Sequence, residues 1–279
     1  MKISVAVPSY NQGKYIYDCL KSIQDQDYDN YEVLISDGGS ADNSLKIIKD
    51  FCKADSHFTL VSKSDNGQSD AIMKSFSFAT GEIFCFLNSD DVYLTGDVFT
   101  GVASSFQSNQ DADIISFTGC YIDSSGKYIK QVNLRYHPWD SSANMKYRTA
   151  VLQPATFWKR EVYISIPLNV HSHYVFDAMF FYQAYNKFSW LDLPQSVAGH
   201  RLHGVNKSSQ ICPERINELA ELERLKFSSL SYRVIYLRGI SGLVAIFTKI
   251  PFIGKKINKT IYYLVNSISF ITFYRIPSI

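Results

Sequence analysis

A chain of 279 residues with 46% hydrophobic and 15% aromatic residues can bury a substantial core, which excludes an intrinsically disordered protein. The net charge of +2 hides an asymmetry, because nine of the 28 Lys and Arg residues and none of the 26 Asp and Glu residues lie from Arg224 onward. The remainder is acidic. Because the basic tail is also apolar and aromatic, it favours an anionic membrane surface as a partner and disfavours nucleic acid.

The five cysteines are widely spaced and include no Cys-x-x-Cys pair. This pattern argues against a disulfide framework and a zinc site, and it favours reduced thiols in a cytoplasm. The apolar stretch at the N-terminus is too short for a signal peptide, and no uncharged apolar run reaches the roughly 18 residues of a membrane-spanning helix. We therefore expect a cytoplasmic protein that does not cross a membrane.

The first hundred residues alternate between strand-like and helix-like patterns. Short apolar runs typical of strands covered on both faces occupy residues 3–8, 31–37, 59–64 and 82–88. Apolar side chains recur at helical spacing over residues 16–23, 43–51 and 69–81. This alternation predicts an α/β fold, a mostly parallel sheet with helices on both faces. Gly81 is expected to cap the third helix.

The pattern changes beyond about residue 110. Residues 112–132 are typical of a β-hairpin that turns at Gly126, and residues 173–188 are predicted to be helical. A strand then leads into a His-bearing loop over residues 193–209. From Leu230 onward the pattern predicts a C-terminal helical segment of two helices. They either lie in the membrane interface or pack against the core.

Three carboxylates follow predicted strands. Asp37 ends the second strand, and Asp90 and Asp91 follow the fourth. Ligands of parallel α/β sheets bind beyond the carboxyl ends of the strands, so these side chains should converge on one rim. Two adjacent carboxylates repel each other, so the pair either lies in water at a turn or is held by a cation.

Five segments of the chain together carry a resemblance to a known family. They read "VAVPSYNQGKYIYDCLKSIQDQDYDNYEVLISDGGSADNS", "SDNGQSDAIMKSFSFATGEIFCFLNSDDVY", "QPATFWKRE", "YVFD" and "HRLHGVNKSS". In this order they resemble glycosyltransferase family 2, over roughly residues 2–209. The resemblance implies a Rossmann-like fold of the nucleotide-diphospho-sugar transferase type. It also implies inverting transfer of a sugar from a nucleoside diphosphate to an acceptor hydroxyl, usually with Mg²⁺ or Mn²⁺.

The resemblance implies a metal site and a catalytic base. Asp90 is the leading metal ligand, with Asp91 beside it, and His203 matches a late family position that contacts metal or diphosphate. Asn88 stands at the first position of the family's Asp-x-Asp motif, a departure that removes one charge. Asp177 matches the catalytic-base position; a helix cap or a structural ion pair is the alternative.

The resemblance also implies donor-contacting positions. They are Pro8, Tyr10, Asp37, Asn66, Gly67, Asp70, Asn88, Ser89, Asp90 and Arg201. An Asp at the end of the second strand can accept the imino N–H of uracil, which favours UDP as the carrier. Ordinary turn chemistry before Gly38 is the alternative for Asp37.

These inferences give a division of the chain. Residues 1–110 are expected to bind the nucleotide sugar, residues 111–212 to bind a glycan or lipid-linked acceptor, and residues 213–279 to attach the enzyme to the cytoplasmic face of a membrane. Relatives of this kind often build lipopolysaccharide or capsule. Two alternatives stay open: a sugar-phosphate nucleotidyltransferase, whose basic Gly-rich loop is missing after the first strand, and an inactive nucleotide-sugar-binding protein, which Asn88 would suit.

Overall fold

The computed structural model describes residues 1–62, 64–132, 151–204, 212–227 and 232–247. These residues separate into two compact units, of which the first contains residues 1–132, 152–171 and 183–202 and the second contains the others. The second of the two helices predicted for the tail lies outside the described residues. The functional division at residues 110 and 212 stays a prediction.

The first unit is built on one sheet. Its strands are β1 (Ile3–Ser9), β2 (Tyr31–Asp37), β3 (Phe58–Ser62), β4 (Ile83–Phe86), β5 (Val92–Tyr93), β6 (Ile114–Ile122), β7 (Tyr128–Val132), β8 (Thr156–Lys159) and β9 (Trp190–Arg201). Its helices are α1 (Ile16–Gln24), α2 (Ser44–Ala54), α3 (Gln68–Ser77), α4 (Val98–Ser108) and α5 (Arg160–Ser165). A 3₁₀ turn over Gln153–Ala155 precedes β8.

The sheet has the order β3-β2-β1-β4-β8-β6-β9-β5, and β7 pairs with β6. Strands β1 to β4 are parallel to one another, and β9 is parallel to β6. Strand β8 runs antiparallel to both β4 and β6. The predicted fold class, a mostly parallel sheet with flanking helices, is confirmed, and so is the hairpin formed by β6 and β7.

The apolar pattern explains the core of this unit. All seven residues of β1 are buried, as expected of a central strand covered on both faces. The apolar face of α1, formed by Ile16, Cys19, Leu20 and Ile23, is completely buried. The same spacing that predicted the helix therefore also selects the face that packs on the sheet.

Gly81 does not cap α3, which ends at Ser77 with Phe78 as its right-handed cap. The glycine is required for a different reason. A Cβ atom at Gly81 would lie 2.5 Å from Ser4 Oγ and 2.7 Å from the carbonyl oxygen of Lys2. Close approach of the two chain segments, rather than a left-handed backbone, therefore selects glycine here.

The second unit is helical in its described part. Its helices are α6 (Phe176–Tyr185, whose last turn belongs to the first unit), α7 (Pro213–Phe227) and α8 (Tyr232–Phe247). Helices α7 and α8 pack against each other, and Arg238 and Arg224 both donate to Glu221. None of the described helices is long and apolar enough to cross a membrane.

Candidate active site

The loops after β1 and β2 meet at the carboxyl edge of the sheet. Strand register pairs Ser9 with Asp37, the last residues of the two strands. The loops are joined by two further bonds, in which the Asn11 N–H donates to Ser40 Oγ at 2.8 Å and the Ala41 N–H donates to Asn11 Oδ1 at 2.9 Å. Pro8 is buried within β1 beside this edge.

Asp37 is completely buried, and its two oxygens bind protein donors. Oδ1 accepts the backbone N–H groups of Gly39 and Ser40 at 3.0 and 2.7 Å. Oδ2 accepts the hydroxyls of Ser9 and Ser40 at 3.0 and 2.6 Å. Four hydrogen bonds fill the usual capacity of a carboxylate, so this geometry favours the turn-forming alternative for Asp37 over contact with a base.

Asp65, which the sequence reasoning missed, lies against Gly38, as does the side chain of Tyr10. The ring of Tyr10 is 62% exposed. A Cβ atom at Gly38 would lie 3.1 Å from both Asp65 Oδ2 and the Tyr10 ring, so a larger residue there would crowd both side chains. Burial raises the pKa of Asp65, and the nearby Asp70 and Asp37 raise it further. Its position directly before Asn66, a predicted donor-contacting residue, was the only signal of Asp65 that the sequence reasoning could have used.

The turn before α3 is organised by Asp70. Its Oδ2 accepts the Asn66 N–H at 2.8 Å and lies 2.9 Å from Lys74 Nζ. The hydrogen bond from Lys74 lowers the pKa of Asp70 below its usual range. Gly67 precedes the helix with a φ of 119°, a conformation that L-residues rarely adopt. Asp70 therefore shapes the segment that carries Asn66 and Gly67.

Asn88 connects the end of β4 to its surroundings. Its Oδ1 accepts Gln68 Nε2 at 2.6 Å, and its Nδ2 donates to Asp91 Oδ2 and Gln153 Oε1, both at 3.3 Å. Gln153 also donates to the carbonyl oxygen of Phe86. An Asp at position 88 could not donate to Asp91 or Gln153. The departure from the family motif therefore suits this neutral, donor-acceptor role.

The adjacent carboxylates point to different environments. Asp91 is completely buried; its Oδ1 accepts the Arg201 N–H at 2.8 Å and lies 3.0 Å from His200 Nδ1. With Asn88 on its other oxygen, Asp91 is held by protein groups on both sides. Asp90 is only half-buried, and Ser89 before it is buried. This geometry favours Asp90 alone as the carboxylate that faces a metal ion.

Arg201 holds the Asp90 turn in place. The side chain is 1% exposed, and Nε donates to the Asp90 carbonyl oxygen at 2.8 Å. Its other nitrogens donate to the Ser124 carbonyl oxygen at 3.4 Å and to Asp18 Oδ2 at 3.1 Å, and the guanidinium lies 5.1 Å from the Tyr15 ring centroid. These contacts favour a positioning role for Arg201 over direct contact with the diphosphate.

The described residues contain no cluster of three or more His, Cys, Asp or Glu side chains arranged as metal ligands. A single carboxylate still fits Mg²⁺, because this ion is usually bound by one or two carboxylates together with substrate phosphates. Asp90, at the rim that also carries Tyr10 and Asp65, provides such a carboxylate.

Asp177 and His203 belong to the second unit. Asp177 lies half-buried in the first turn of α6, where its Oδ1 accepts the Ala178 N–H at 2.8 Å. Most of its neighbours in the helix are buried apolar residues, namely Val175, Phe176, Ala178, Met179, Phe180 and Phe181. The predicted contrast of one carboxylate within an apolar helix is therefore present. His203 is half-buried and follows Arg201 by two residues.

Most of the predicted site residues lie in the first unit. Pro8, Tyr10, Asp37, Asn66, Gly67, Asp70, Asn88, Ser89, Asp90, Asp91 and Arg201 all belong to that unit. The sequence reasoning missed Asp65, Gln68 and Gln153. Gln153 lies within the quoted segment "QPATFWKRE", but only the structure shows that its side chain reaches Asn88.

The family model for glycosyl transferase family 2 matches residues 4–186, and the chain belongs to this family. The predicted family resemblance is confirmed.

Two curated proteins illustrate the similarity. Glycosyltransferase GlyG of Streptococcus pneumoniae serotype 4 is 37% identical over 91 residues, which are 32% of this chain and 30% of that protein. The GalNAc(5)-diNAcBac-PP-undecaprenol beta-1,3-glucosyltransferase of Campylobacter jejuni is 26% identical over 147 residues, which are 52% of this chain and 46% of that protein. The matched stretches thus span less than half of each relative.

Two solved structures share the fold. TarS of S. aureus in complex with UDP superposes with a TM-score of 0.63 at 19% identity, covering 85% of this chain and 68% of that chain. The mannosyltransferase PcManGT of Pyrobaculum calidifontis, in complex with GDP-Man and Mn²⁺, gives a TM-score of 0.61 at 14% identity, covering 95% and 80% of the two chains.

Proposed function

We propose that this glycosyltransferase moves a sugar from a nucleoside diphosphate donor to a hydroxyl of a glycan or lipid-linked acceptor, with inversion, in cell-surface polysaccharide biosynthesis. The observation that carries this proposal is the rim of the first unit. There, Tyr10, Asp65 and Asp90 lie at the carboxyl edge of a nucleotide-sugar transferase sheet. Residues 1–110 would bind the donor and residues 111–212 the acceptor.

UDP is the proposed carrier. Asp65 and the exposed Tyr10 both lie against Gly38, whereas the oxygens of Asp37 are occupied by the turn. We therefore assign to Asp65, in place of Asp37, the acceptor role for the imino N–H of uracil, with Tyr10 stacking on the base. Asn66, Gly67 and Asp70 would form the segment that covers the nucleotide. TarS has been solved with UDP-GlcNAc, which supports this carrier.

Asp90 is the proposed protein ligand of Mg²⁺ or Mn²⁺, and the contact of His203 with metal or diphosphate, which its family position implies, stays a proposal. The bound cation would neutralise the negative charge that develops on the leaving diphosphate. Asn88 and Arg201 hold the Asp90 turn through the contacts described above. The Mn²⁺ in the PcManGT complex supports a divalent ion in this fold.

Asp177 is the proposed general base. A half-buried carboxylate within an apolar helix can accept a proton from an acceptor hydroxyl, and general-base catalysis contributes typically 10²–10⁴-fold to such reactions. The sugar carbon is then attacked in a single displacement as the diphosphate leaves, which inverts the configuration.

We further propose that α8 attaches the enzyme to the cytoplasmic face of a membrane. Ile235 is 63% exposed and Tyr236 42% exposed on α8, whereas Val234, Leu237 and Val244 are buried. An exposed apolar and aromatic face beside basic residues is typical of interfacial helices. The Campylobacter relative, whose name specifies a PP-undecaprenol-linked glycan, supports a lipid-linked acceptor.

Release of free nucleotide tests the transferase proposal. The purified protein is incubated with UDP-glucose, UDP-GlcNAc or GDP-mannose, with Mn²⁺ or with excess EDTA, and products are identified by mass spectrometry. We expect UDP release from one UDP-sugar that is lost in EDTA. A separate incubation with a sugar phosphate and UTP tests the first alternative, because release of diphosphate there would indicate a nucleotidyltransferase. Donor binding without any turnover would indicate an inactive binding protein.

A further inference from the structure

Glu218, on α7, binds the chain segment that leads into α6. Its Oε2 accepts the Ser172 hydroxyl at 2.7 Å and the N–H groups of Tyr174 and Val175 at 2.8 and 3.1 Å. Its Oε1 accepts the His173 N–H at 2.8 Å. One carboxylate thus binds four donors from four consecutive residues, all within the second unit.

This arrangement resembles an anion-binding site in which the Glu218 carboxylate takes the place of the anion. Successive backbone N–H groups that point to one place form a concave site for an anion, and the first N–H groups of a helix have no partner within the helix. A negative charge at the N-terminus of a helix is also favourable because of the helix dipole. Glu218 therefore fixes both the position and the direction of the segment at which α6 begins.

The segment held by Glu218 is adjacent to Asp177. The helical bonding of α6 begins with the Met179 N–H donating to the Val175 carbonyl oxygen at 2.9 Å. Val175, whose own N–H is bound by Glu218, is two residues before Asp177. A shift of this turn would therefore move the Asp177 carboxylate directly.

A second contact joins the same two segments. The Tyr174 hydroxyl is hydrogen-bonded to Cys212, the residue before α7, and this bond together with burial raises the pKa of Tyr174 to about 12. Two side chains thus join these segments: Glu218 reaches from α7 to the segment before α6, and Tyr174 reaches from that segment to the start of α7.

We propose that Glu218 is a positioning residue for the catalytic carboxylate: it holds the turn at residues 172–175 so that Asp177 stands where it can deprotonate the acceptor. This inference rests on the proposed role of Asp177 as general base. It gives α7 a part in catalysis.

The test compares Glu218→Ala, Glu218→Gln and the matched control Glu221→Gln. Glu221 lies one turn further along α7 and binds Arg224 and Arg238. The probe is whichever of UDP-glucose, UDP-galactose and UDP-GlcNAc the wild type turns over fastest with Mn²⁺. We expect Glu218→Ala to lower kcat about 10- to 100-fold, because displacements near 1 Å can cost this much. The donor KM should change less than twofold.

The Gln variant keeps one oxygen for the three donors on Oε2 and should recover part of the rate, while Glu221→Gln should match the wild type. If Glu218 acts through Asp177, the double variant Glu218→Ala/Asp177→Asn will be no slower than Asp177→Asn alone. Hydrogen exchange gives a readout without turnover, since the amides of residues 173–175 should exchange faster in Glu218→Ala than in Glu221→Gln.

The outcomes separate the two proposals. A slow Asp177→Asn together with a normal kcat in Glu218→Ala would overturn the positioning role only. Multiplicative losses in the double variant would overturn it too, because Glu218 would then act elsewhere. A normal Asp177→Asn would overturn the base assignment and, with it, the inference about Glu218. If Glu218→Ala loses its cooperative melting transition, Glu218→Gln and Ser172→Ala carry the same comparisons.

Discussion

At the scale of single residues, the adjacent carboxylates Asp90 and Asp91 have the same chemistry but different environments. Asp91 is buried among the Arg201 N–H, His200 and Asn88, whereas Asp90 is half-buried at the rim. Arg201 binds both residues, through the side chain of Asp91 and the carbonyl oxygen of Asp90. The buried member therefore organises the turn that presents the other one.

Separate substitutions of the two residues should have separable effects. Asp91→Ala leaves buried donors without their acceptor, so we expect a loss of about 1–3 kcal/mol in the free energy of unfolding. Asp90→Ala should change it by less than about 1 kcal/mol but abolish Mn²⁺-dependent UDP release. Denaturant unfolding and nucleotide release measure the two effects. Equal losses of stability in both variants would contradict the assignment.

The sequence predicted which residues reach the rim but not the direction of each side chain. Asp37 and Asp91 follow strands, so their location was predictable from the alternating pattern. The hydrogen bonds of Ser9 with Asp37 and of Arg201 with Asp91 join segments that are distant in sequence. Asp65 was missed because its place beside Gly38 joins two loops that are distant in sequence, which local patterns do not encode.

At the scale of elements, α8 has features of both alternatives for the tail, a helix packed against the protein and a helix in the membrane interface. Val234, Leu237 and Val244 are buried, and the helix packs on α7. Ile235 and Tyr236 remain exposed. A truncation near Glu223 would cut α7, remove α8 and expose the apolar face of α7. Point substitutions therefore test the membrane proposal more cleanly.

The double variant Ile235→Ser/Tyr236→Ser should bind anionic liposomes at least about tenfold more weakly than the wild type, since each large apolar side chain contributes roughly 1.5–3 kcal/mol on burial. Sedimentation with phosphatidylcholine–phosphatidylglycerol vesicles at low salt measures this. The control is Ile164→Ser/Phe78→Ser, which removes residues of similar exposure, 65% and 59%, from the first unit. Equal partitioning of both double variants would refute attachment through α8.

At the scale of the whole molecule, the alternation of strands and helices was enough to predict the parallel half of the sheet. It could not predict that β8 inserts antiparallel between β4 and β6, or that β5 pairs with β9. These pairings join segments that are far apart in sequence, and neither local periodicity nor turn chemistry specifies such partners. The order of strands beyond β4 therefore required the structure.

Stability should depend on pH through Asp192, in β9. Burial raises the pKa of Asp192 to about 6, so the folded protein retains a proton between pH 4 and 6 that the unfolded chain releases. Stability therefore falls as pH rises through this window. Asp192→Asn cannot ionise, and after allowance for partial exposure we expect it to gain about 1 kcal/mol, or 2–4 °C in Tm, at pH 7.5 and nothing at pH 4.

The matched control for this prediction is Asp111→Asn, which removes an exposed carboxylate from the same unit and should leave Tm unchanged at both pH values. Thermal melts of the three proteins at pH 4 and pH 7.5 provide the comparison. An equal gain in Tm for Asp192→Asn at both pH values would show that ionisation of Asp192 is not its cause.

The most direct test of the proposed transfer reaction is the steady-state kinetics of Asp177→Asn beside its affinity for UDP. Asparagine preserves the shape of the side chain but cannot take the proton. We therefore expect kcat for UDP release to fall by about 10²–10⁴. UDP with Mn²⁺ should bind within twofold of the wild type by calorimetry. A kcat equal to that of the wild type would contradict the assignment of Asp177 as the base for glycosyl transfer.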